Sequence, residues 1–175
     1  MKASAPPEVW RQTDGGADAF ICSTGTGGTL AGVSRYLKEQ DERVRVVLAD
    51  PSGSALYQWV KQGELGAVGP GSITEGIGTS RVTANLDGTA IDDALMPSDQ
   101  EAVDTVYRLL HHEGLFLGAS SGLNVISAVQ LARQLGPGHT IVTVLCDSGA
   151  RYQSRLFDAA WLGSKGLNAP DLAGI

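Results

Sequence analysis

The stretch Thr24-Gly25-Thr26-Gly27-Gly28-Thr29 stands between an apolar run, Phe20 to Ser23, and a helical pattern, Leu30 to Leu37. This order constrains the fold more than any other segment, because it specifies a strand that ends in glycines and opens a helix. The first N–H groups of a helix have no acceptor within it, and the positive end of the helix dipole lies behind them. Glycine lets an anion approach the backbone closely and adopts positive φ at little cost. Thr26 and Thr29 add hydroxyl donors. The segment reads as a phosphate cradle, with an ordinary strand-to-helix turn as the plainer alternative.

Around it the chain alternates. Pro7 to Thr13 is helical, Ala17 to Ser23 a buried strand and Gly28 to Lys38 a helix. Arg43 to Ala49 is a second strand, ending at Asp50-Pro51, and Ser54 to Gln62 a helix closed by Gly63. The glycine-rich passage from Gly66 to Gly78 has no period and reads as a long functional loop. Ala90 to Met96 is a short strand, and Ser98 with Glu101 opens a capped helix running to about His112. Leu115 to Gly118 is strand, Gly122 to Leu135 helix and Thr140 to Cys146 strand, with a last helical stretch after Arg151. Nearly all-apolar strands alternating with helices predict an α/β fold: three layers, a mostly parallel sheet with helices on both faces. No linker or repeat divides residues 1–175, so one α/β domain is expected. Ligands then collect at the C-terminal ends of strands, in the loops after Ser23, Gly118 and Cys146.

The net charge of −6 and pI of about 4.9 argue against nucleic acid or an anionic membrane as partner, so any anion must be bound locally. No apolar run approaches the roughly 20 residues of a membrane span, and the polar start is unlike a signal peptide, so a cytoplasmic protein is expected. Cys22 and Cys146 make no disulfide framework and read as reduced, buried core residues. None of His111, His112 and His139 sits at metal-ligand spacing with another ligand.

Two motifs offer other chemistry. Gly25-Thr26-Gly27 opening a helix, with Asp50 at the end of the next strand, approximates a dinucleotide site, but the third glycine position holds Leu30. Gly118-Ala119-Ser120-Ser121-Gly122 fits a nucleophile elbow with Ser120 as nucleophile. His139, however, precedes the strand whose far end carries Asp147, which places it at the opposite edge of the sheet. A hydroxyl-rich helix N-terminus explains the elbow residues as well.

A third reading uses more of the chain. Glu8-Val9-Trp10, Thr24 to Thr29, Glu75-Gly76-Ile77-Gly78, Gly118 to Gly122 and Cys146-Asp147-Ser148-Gly149-Ala150-Arg151-Tyr152-Gln153-Ser154 occur in the order seen in the cysteine synthase family. The chain thus resembles the C-terminal portion of the O-acetylserine sulfhydrylases, pyridoxal-phosphate enzymes of fold type II with the tryptophan synthase β-like fold. The resemblance implies that Gly25, Thr26, Gly27, Gly28 and Thr29 hold the cofactor phosphate and that Ser148 hydrogen-bonds the pyridine nitrogen. It implies that Gly76, Ile77 and Gly78 border the substrate amino group. The family reaction is β-replacement: an activated serine loses its β-substituent, and sulfide adds to give cysteine. Related enzymes of this frame form cystathionine or dehydrate serine.

The same resemblance implies what lies elsewhere. The family's Schiff-base lysine and the loop for the substrate carboxylate belong to an N-terminal half that this chain does not resemble. Lys2, Lys38, Lys61 and Lys165 read as surface lysines rather than substitutes. The expectation is a chain inactive alone, or a non-catalytic pyridoxal-phosphate-binding or assembly module, that pairs with itself as a homodimer or with a complementary N-terminal polypeptide.

Overall fold

Residues 5–170 are described by the computed structural model of the protein. The first strand, β1 (Ala19–Cys22), is central: β2 (Arg45–Ala49) and β4 (Ile141–Val142) pair with it, and β3 (Asp93–Leu95) pairs with β2. All these pairings are parallel, giving the order β3-β2-β1-β4. Ala19 aligns with Arg45 on one side and Ile141 on the other.

The layers follow from the two-residue period of the strands. Phe20, Cys22, Val46 and Leu48 point to one face, where α2 (Gly28–Gln40) lays down Leu30, Val33 and Leu37, and α3 (Leu56–Gln62) adds Leu56. Val9 and Trp10 of α1 (Ala5–Gln12) complete that layer. Ala19, Ile21, Val47 and Ala49 point to the other face, against Ala102 of α4 (Asp99–Glu113) and Leu123 and Leu131 of α5 (Ala119–Leu135). Each fully buried Leu, Ile, Val or Phe of this kind contributes roughly 1.5–3 kcal/mol. The expected three-layer α/β architecture is therefore observed.

Helix ends follow local chemistry. Ser98 accepts from the Glu101 N–H while Glu101 accepts from the Ser98 N–H at 2.8 Å, the predicted capping box, and Gly114 ends α4 at φ 68°. Gly122 lets α4 and α5 touch, since a Cβ there would lie 2.4 Å from the Ala102 carbonyl oxygen. Past a 3-10 turn (Gly149–Tyr152), the short α6 (Ala159–Ser164) brings Leu162 with Leu156 against Val103 and Val106 of α4.

Two expected strands change. Leu115 to Gly118 is not in the sheet: it makes an antiparallel bridge, Leu117 to Ser148, in which Gly118 N–H donates to the Asp147 carbonyl and Gly149 N–H to that of Phe116, both at 3.0 Å. Thr140 to Cys146 contributes only Ile141–Val142 to the sheet. Beyond them side chains take the ladder's place: Thr143 Oγ1 donates to the Ile21 carbonyl at 2.6 Å, and Asn124 Nδ2 to that of Val144 at 2.8 Å. Cys146, expected in the core, is exposed, because the strand leaves the sheet before reaching it; Cys22 is buried as expected.

Candidate functional site

The C-terminal end of β1 leads directly into the glycine turn. Gly27 caps α2 in the left-handed region (φ 82°) without a side-chain cap bond, so the first-turn N–H groups of α2 face outward. Among the described residues, no hydrogen bond is made by the backbone N–H of Gly25, Thr26, Gly27, Gly28 or Thr29. The turn is held instead through its carbonyls: Thr83 Oγ1 donates to Thr26 O at 2.8 Å and Asn85 Nδ2 to the same oxygen at 2.9 Å. Glycine is required at two places. A Cβ on Gly25 would lie 2.4 Å from Gly76 O, and one on Gly27 would lie 2.5 Å from Cγ of the buried Leu86. Gly28, by contrast, opens to free space, its nearest neighbours 3.9 Å from a Cβ.

The loop Gly76-Ile77-Gly78 folds over this turn, tied by Gly78 N–H to Thr24 O at 3.0 Å. Together Gly25, Thr26, Gly76, Ile77, Gly78, Thr79, Arg81, Thr83 and Asn85 line an open cleft. Gly27 lies buried beneath it, while Gly28 and Thr29 are exposed at the helix start. Thr24 Oγ1, just before the turn, is buried without a hydrogen-bond partner among the described residues. The structure thus brings Gly25 and Thr26 of the predicted cradle and Gly76 to Gly78 of the predicted substrate loop to the lining of one cleft, with Gly27, Gly28 and Thr29 outside that lining.

Ser148 does not line that cleft. It stands in the segment running past the neighbouring strand end, exposed, and its hydroxyl accepts from Ala150 N–H at 3.2 Å, which leaves its own proton available. What joins the two regions is a residue the sequence did not single out as functional. Asn124, fully buried on α5, accepts from Ser23 N–H at 2.7 Å and donates to Val144 O, with Cys146 Sγ 3.5 Å away. Ser121 Oγ accepts from Cys146 N–H at 2.8 Å. The Ser120-Ser121-Gly122 motif is therefore structural at Ser121 and Gly122. Ser120 has no histidine near it, since His139 lies before β4, its Nδ1 3.3 Å from Gly136 O.

None of the described lysines lines the cleft. Lys38 bonds Asp92 at 2.8 Å and Lys61 pairs with Asp93, both acids lying at or just before the start of β3 and so away from the strand ends that carry the turn. Lys165 lies 5.7 Å over the Trp161 ring. Lys2 falls outside the described residues.

Asp50, the other predicted strand-end acid, is fully buried. Its Oδ2 accepts from Tyr57 N–H at 2.7 Å, while Oδ1 has no partner. Burial pushes its carboxyl up to about 6, against weaker opposing bonds from Ser54 and Tyr57 N–H. A carboxyl sealed beneath α3 does not present itself to a ribose. Because the folded protein holds this proton more tightly than the unfolded chain, the group's contribution to stability is present below about pH 4 and lost as pH rises through 6. The expected loss is up to about 3 kcal/mol, and Asp50→Asn should remove it; urea unfolding at pH 4.5 and 7.5 compares the two proteins.

A parallel α/β sheet whose central strand opens a helix through a glycine turn places the protein among the α/β folds with a strand-end site. The chain belongs to the pyridoxal-phosphate dependent enzyme family, whose sequence pattern matches residues 2–147. It is similar to cysteine synthase 1 of Emericella nidulans, 52% identical over 92% of this chain and 45% of that protein. It is similar also to the cysteine synthase of Dictyostelium discoideum, 45% identical over 96% of this chain and 47% of that one. A solved structure, the O-acetylserine dependent cystathionine beta-synthase from Helicobacter pylori, superimposes with a TM-score of 0.77 at 31% identity, over 86% of this chain and 46% of that one. The chain spans about half the length of the curated relatives it matches.

Among the described residues no helix is long and apolar enough to cross a membrane.

Proposed function

We propose that this chain carries the phosphate-binding side of a pyridoxal-phosphate-dependent cysteine synthase, acting in β-replacement of O-acetylserine by sulfide in the cytoplasm. The observation that carries the reading is the glycine turn: five successive backbone N–H groups unused within the described residues, at an uncapped helix start, in a relative of cysteine synthases. These residues fit the group. The absence of a Cβ at Gly25 and Gly28 keeps the turn close to the Gly76 loop and open to a phosphate.

In this reading the N–H groups of Gly25 to Thr29 and the Thr26 and Thr29 hydroxyls hold the phosphate. Ser148 would hydrogen-bond the pyridine nitrogen through its hydroxyl, a neutral contact that would not keep that nitrogen protonated. Gly76 to Gly78 close over the substrate's amino group. Bound there, the cofactor would supply the electron sink that weakens bonds at the substrate's α-carbon and lets the β-substituent leave.

No described lysine is placed to serve the cofactor, so the reading is of a part that works with a second polypeptide, either a complementary segment or another copy. Support comes from the open edge of β4, where Ile141, Val142 and Val144 are half-buried and Leu145 is 47% exposed. Such an apolar run suits the interior of a parallel sheet.

Equilibrium titration with pyridoxal phosphate, then borohydride reduction and peptide mapping, tests the assignment. Binding without stoichiometric labelling of one lysine is expected, and co-expression with the N-terminal half of a cysteine synthase should restore cysteine formation. Labelling of a single described lysine would reverse the division of labour, and absence of binding would sink the cradle. A non-catalytic pyridoxal-phosphate-binding module is the second reading, favoured by the same lysine-free cleft; it predicts binding with no activity restored. Cystathionine formation and serine dehydration on the same frame are distinguished by assaying homocysteine and serine as alternatives.

A further inference from the structure

Ser120 carries a hydroxyl that the proposed function leaves unused. The residue is 9% exposed and makes no side-chain hydrogen bond among the described residues; its oxygen is not sealed from solvent, so it faces the open space that the residue lines. It stands in the first turn of α5, which Gly118 caps without a side-chain bond. The first amides of that helix to find an acceptor are those of Ser121 and Gly122, both donating to Gly118 O, at 3.1 and 3.3 Å. The N–H groups of Ala119 and Ser120 are left without an acceptor among the described residues, with the positive end of the helix dipole behind them. Two amides and one hydroxyl thus stand unpaired at one helix start.

The space before them is a niche of about 10 Å³, the size of a single water or one carboxylate oxygen. It continues outward into a cleft of about 630 Å³, with Ile73, Glu75, Arg155 and Trp161 bordering both, and that volume lies in the range of small-molecule sites. No residue lining the niche or this wider cleft lines the cleft at the glycine turn. At the mouth of the niche Arg155 pairs with Glu75, their side chains 52% and 55% exposed. So exposed a pair gains little from its own contact, and a ligand with opposite charges at its two ends can flank it. Farther out Lys165, over the Trp161 ring, and Asp99, which accepts from Ile73 N–H at 2.8 Å, add one charge of each sign. The cleft is therefore balanced, which suits a zwitterion better than a simple anion. Tyr152 offers the niche its ring, since its hydroxyl donates to Asp147 Oδ2 at 2.6 Å.

We propose that the niche at the start of α5 and the cleft before it form a second small-molecule site, which takes a free α-amino acid. The ligand's carboxylate accepts from the Ala119 and Ser120 N–H groups, the Ser120 hydroxyl and Arg155. Its ammonium lies at Glu75, and its side chain points along Trp161 into the wider cleft. Charge-assisted bonds to a carboxylate are the strong ones, and a helix start supplies them without moving the backbone. The site stands apart from the cofactor reading, because it uses none of the residues that line the glycine-turn cleft.

The test is an NMR titration of the full chain with glycine, following the Ala119 and Ser120 amides and the Arg155 guanidinium. Their signals are expected to shift together and to saturate. Acetate, which lacks the ammonium, should bind about 10-fold more weakly, and glycinamide, which lacks the carboxylate, should leave the two amides unmoved. Arg155→Gln should weaken glycine binding by about 10-fold or more. Ser120→Ala should weaken it by about 3- to 10-fold at an unchanged unfolding midpoint, because the hydroxyl makes no bond in the free protein. Shifts that never saturate, acetate binding as tightly as glycine, full affinity in both variants, or shifts confined to the Gly25 to Thr29 amides would each overturn the proposal. Pyridoxal phosphate, titrated separately, tests the cofactor reading through those Gly25 to Thr29 amides. Their failure to move would sink that reading and leave this site standing.

Discussion

Gly28→Asp is expected to weaken pyridoxal phosphate binding by about 100-fold or more while leaving the protein folded. The position separates binding from folding better than its neighbours do. A side chain on Gly25 or Gly27 collides with the Gly76 carbonyl or Leu86, so those variants would lose the cleft by distortion. At Gly28 there is room for a Cβ. A carboxylate there stands where the unpaired N–H groups would receive a phosphate, and two like charges about 4 Å apart repel by roughly 1–4 kcal/mol between bulk water and a protein surface. The carboxylate also accepts from the first-turn N–H groups, occupying the donors the ligand needs and stabilising the helix start. Thermal unfolding should therefore be unchanged or slightly raised, and fluorescence titration should show the loss. Gly28→Ala, with the space but not the charge, should bind within a few-fold of wild type. Equal affinity of Gly28→Asp and wild type would place the phosphate elsewhere.

How far the sequence disclosed this site depends on where its bonds are local. The glycine turn was legible because a strand end, a left-handed glycine and a helix start are consecutive residues, and each demand is written in the side chains. The capping box at Ser98 and Glu101 and the alternation along β1 and β2 were legible for the same reason. The strand expected at Leu115 to Gly118 was not, because a short apolar run specifies extended backbone but not its neighbour; here the partner is the Asp147–Gly149 segment rather than the sheet. Cys146 was misplaced because side chains of Thr143 and Asn124 end the ladder early, and such a substitution leaves no periodicity to read. The Gly76 loop came to the cradle by residues more than 50 positions apart, visible beforehand only through the family resemblance. Asn124 carries no local signal of its role, although a buried polar residue on a helix face packed against a sheet must find partners across the interface.

Asn124→Ala is expected to lose roughly 2–5 kcal/mol of folding free energy by urea unfolding. Truncation leaves two groups without their present partners, the Ser23 N–H and the Val144 carbonyl, each costing about 1–3 kcal/mol if it stays dry. Because Ser23 precedes the glycine turn and Val144 leads toward Ser148, the loss should also let the two strand ends move apart. Pyridoxal phosphate affinity is then expected to fall, although Asn124 does not line the cleft. Asn124→Asp separates the two bonds. Its carboxylate still accepts from Ser23 N–H but cannot donate to Val144 O, and it places a buried charge beside that carbonyl. At neutral pH this variant should be at least as unstable as Asn124→Ala. In acid, where the protonated carboxyl can donate again, it should recover relative to Asn124→Ala. If both variants instead unfold with wild-type midpoints at every pH, Asn124 does not join the strand ends and their relative placement has another source.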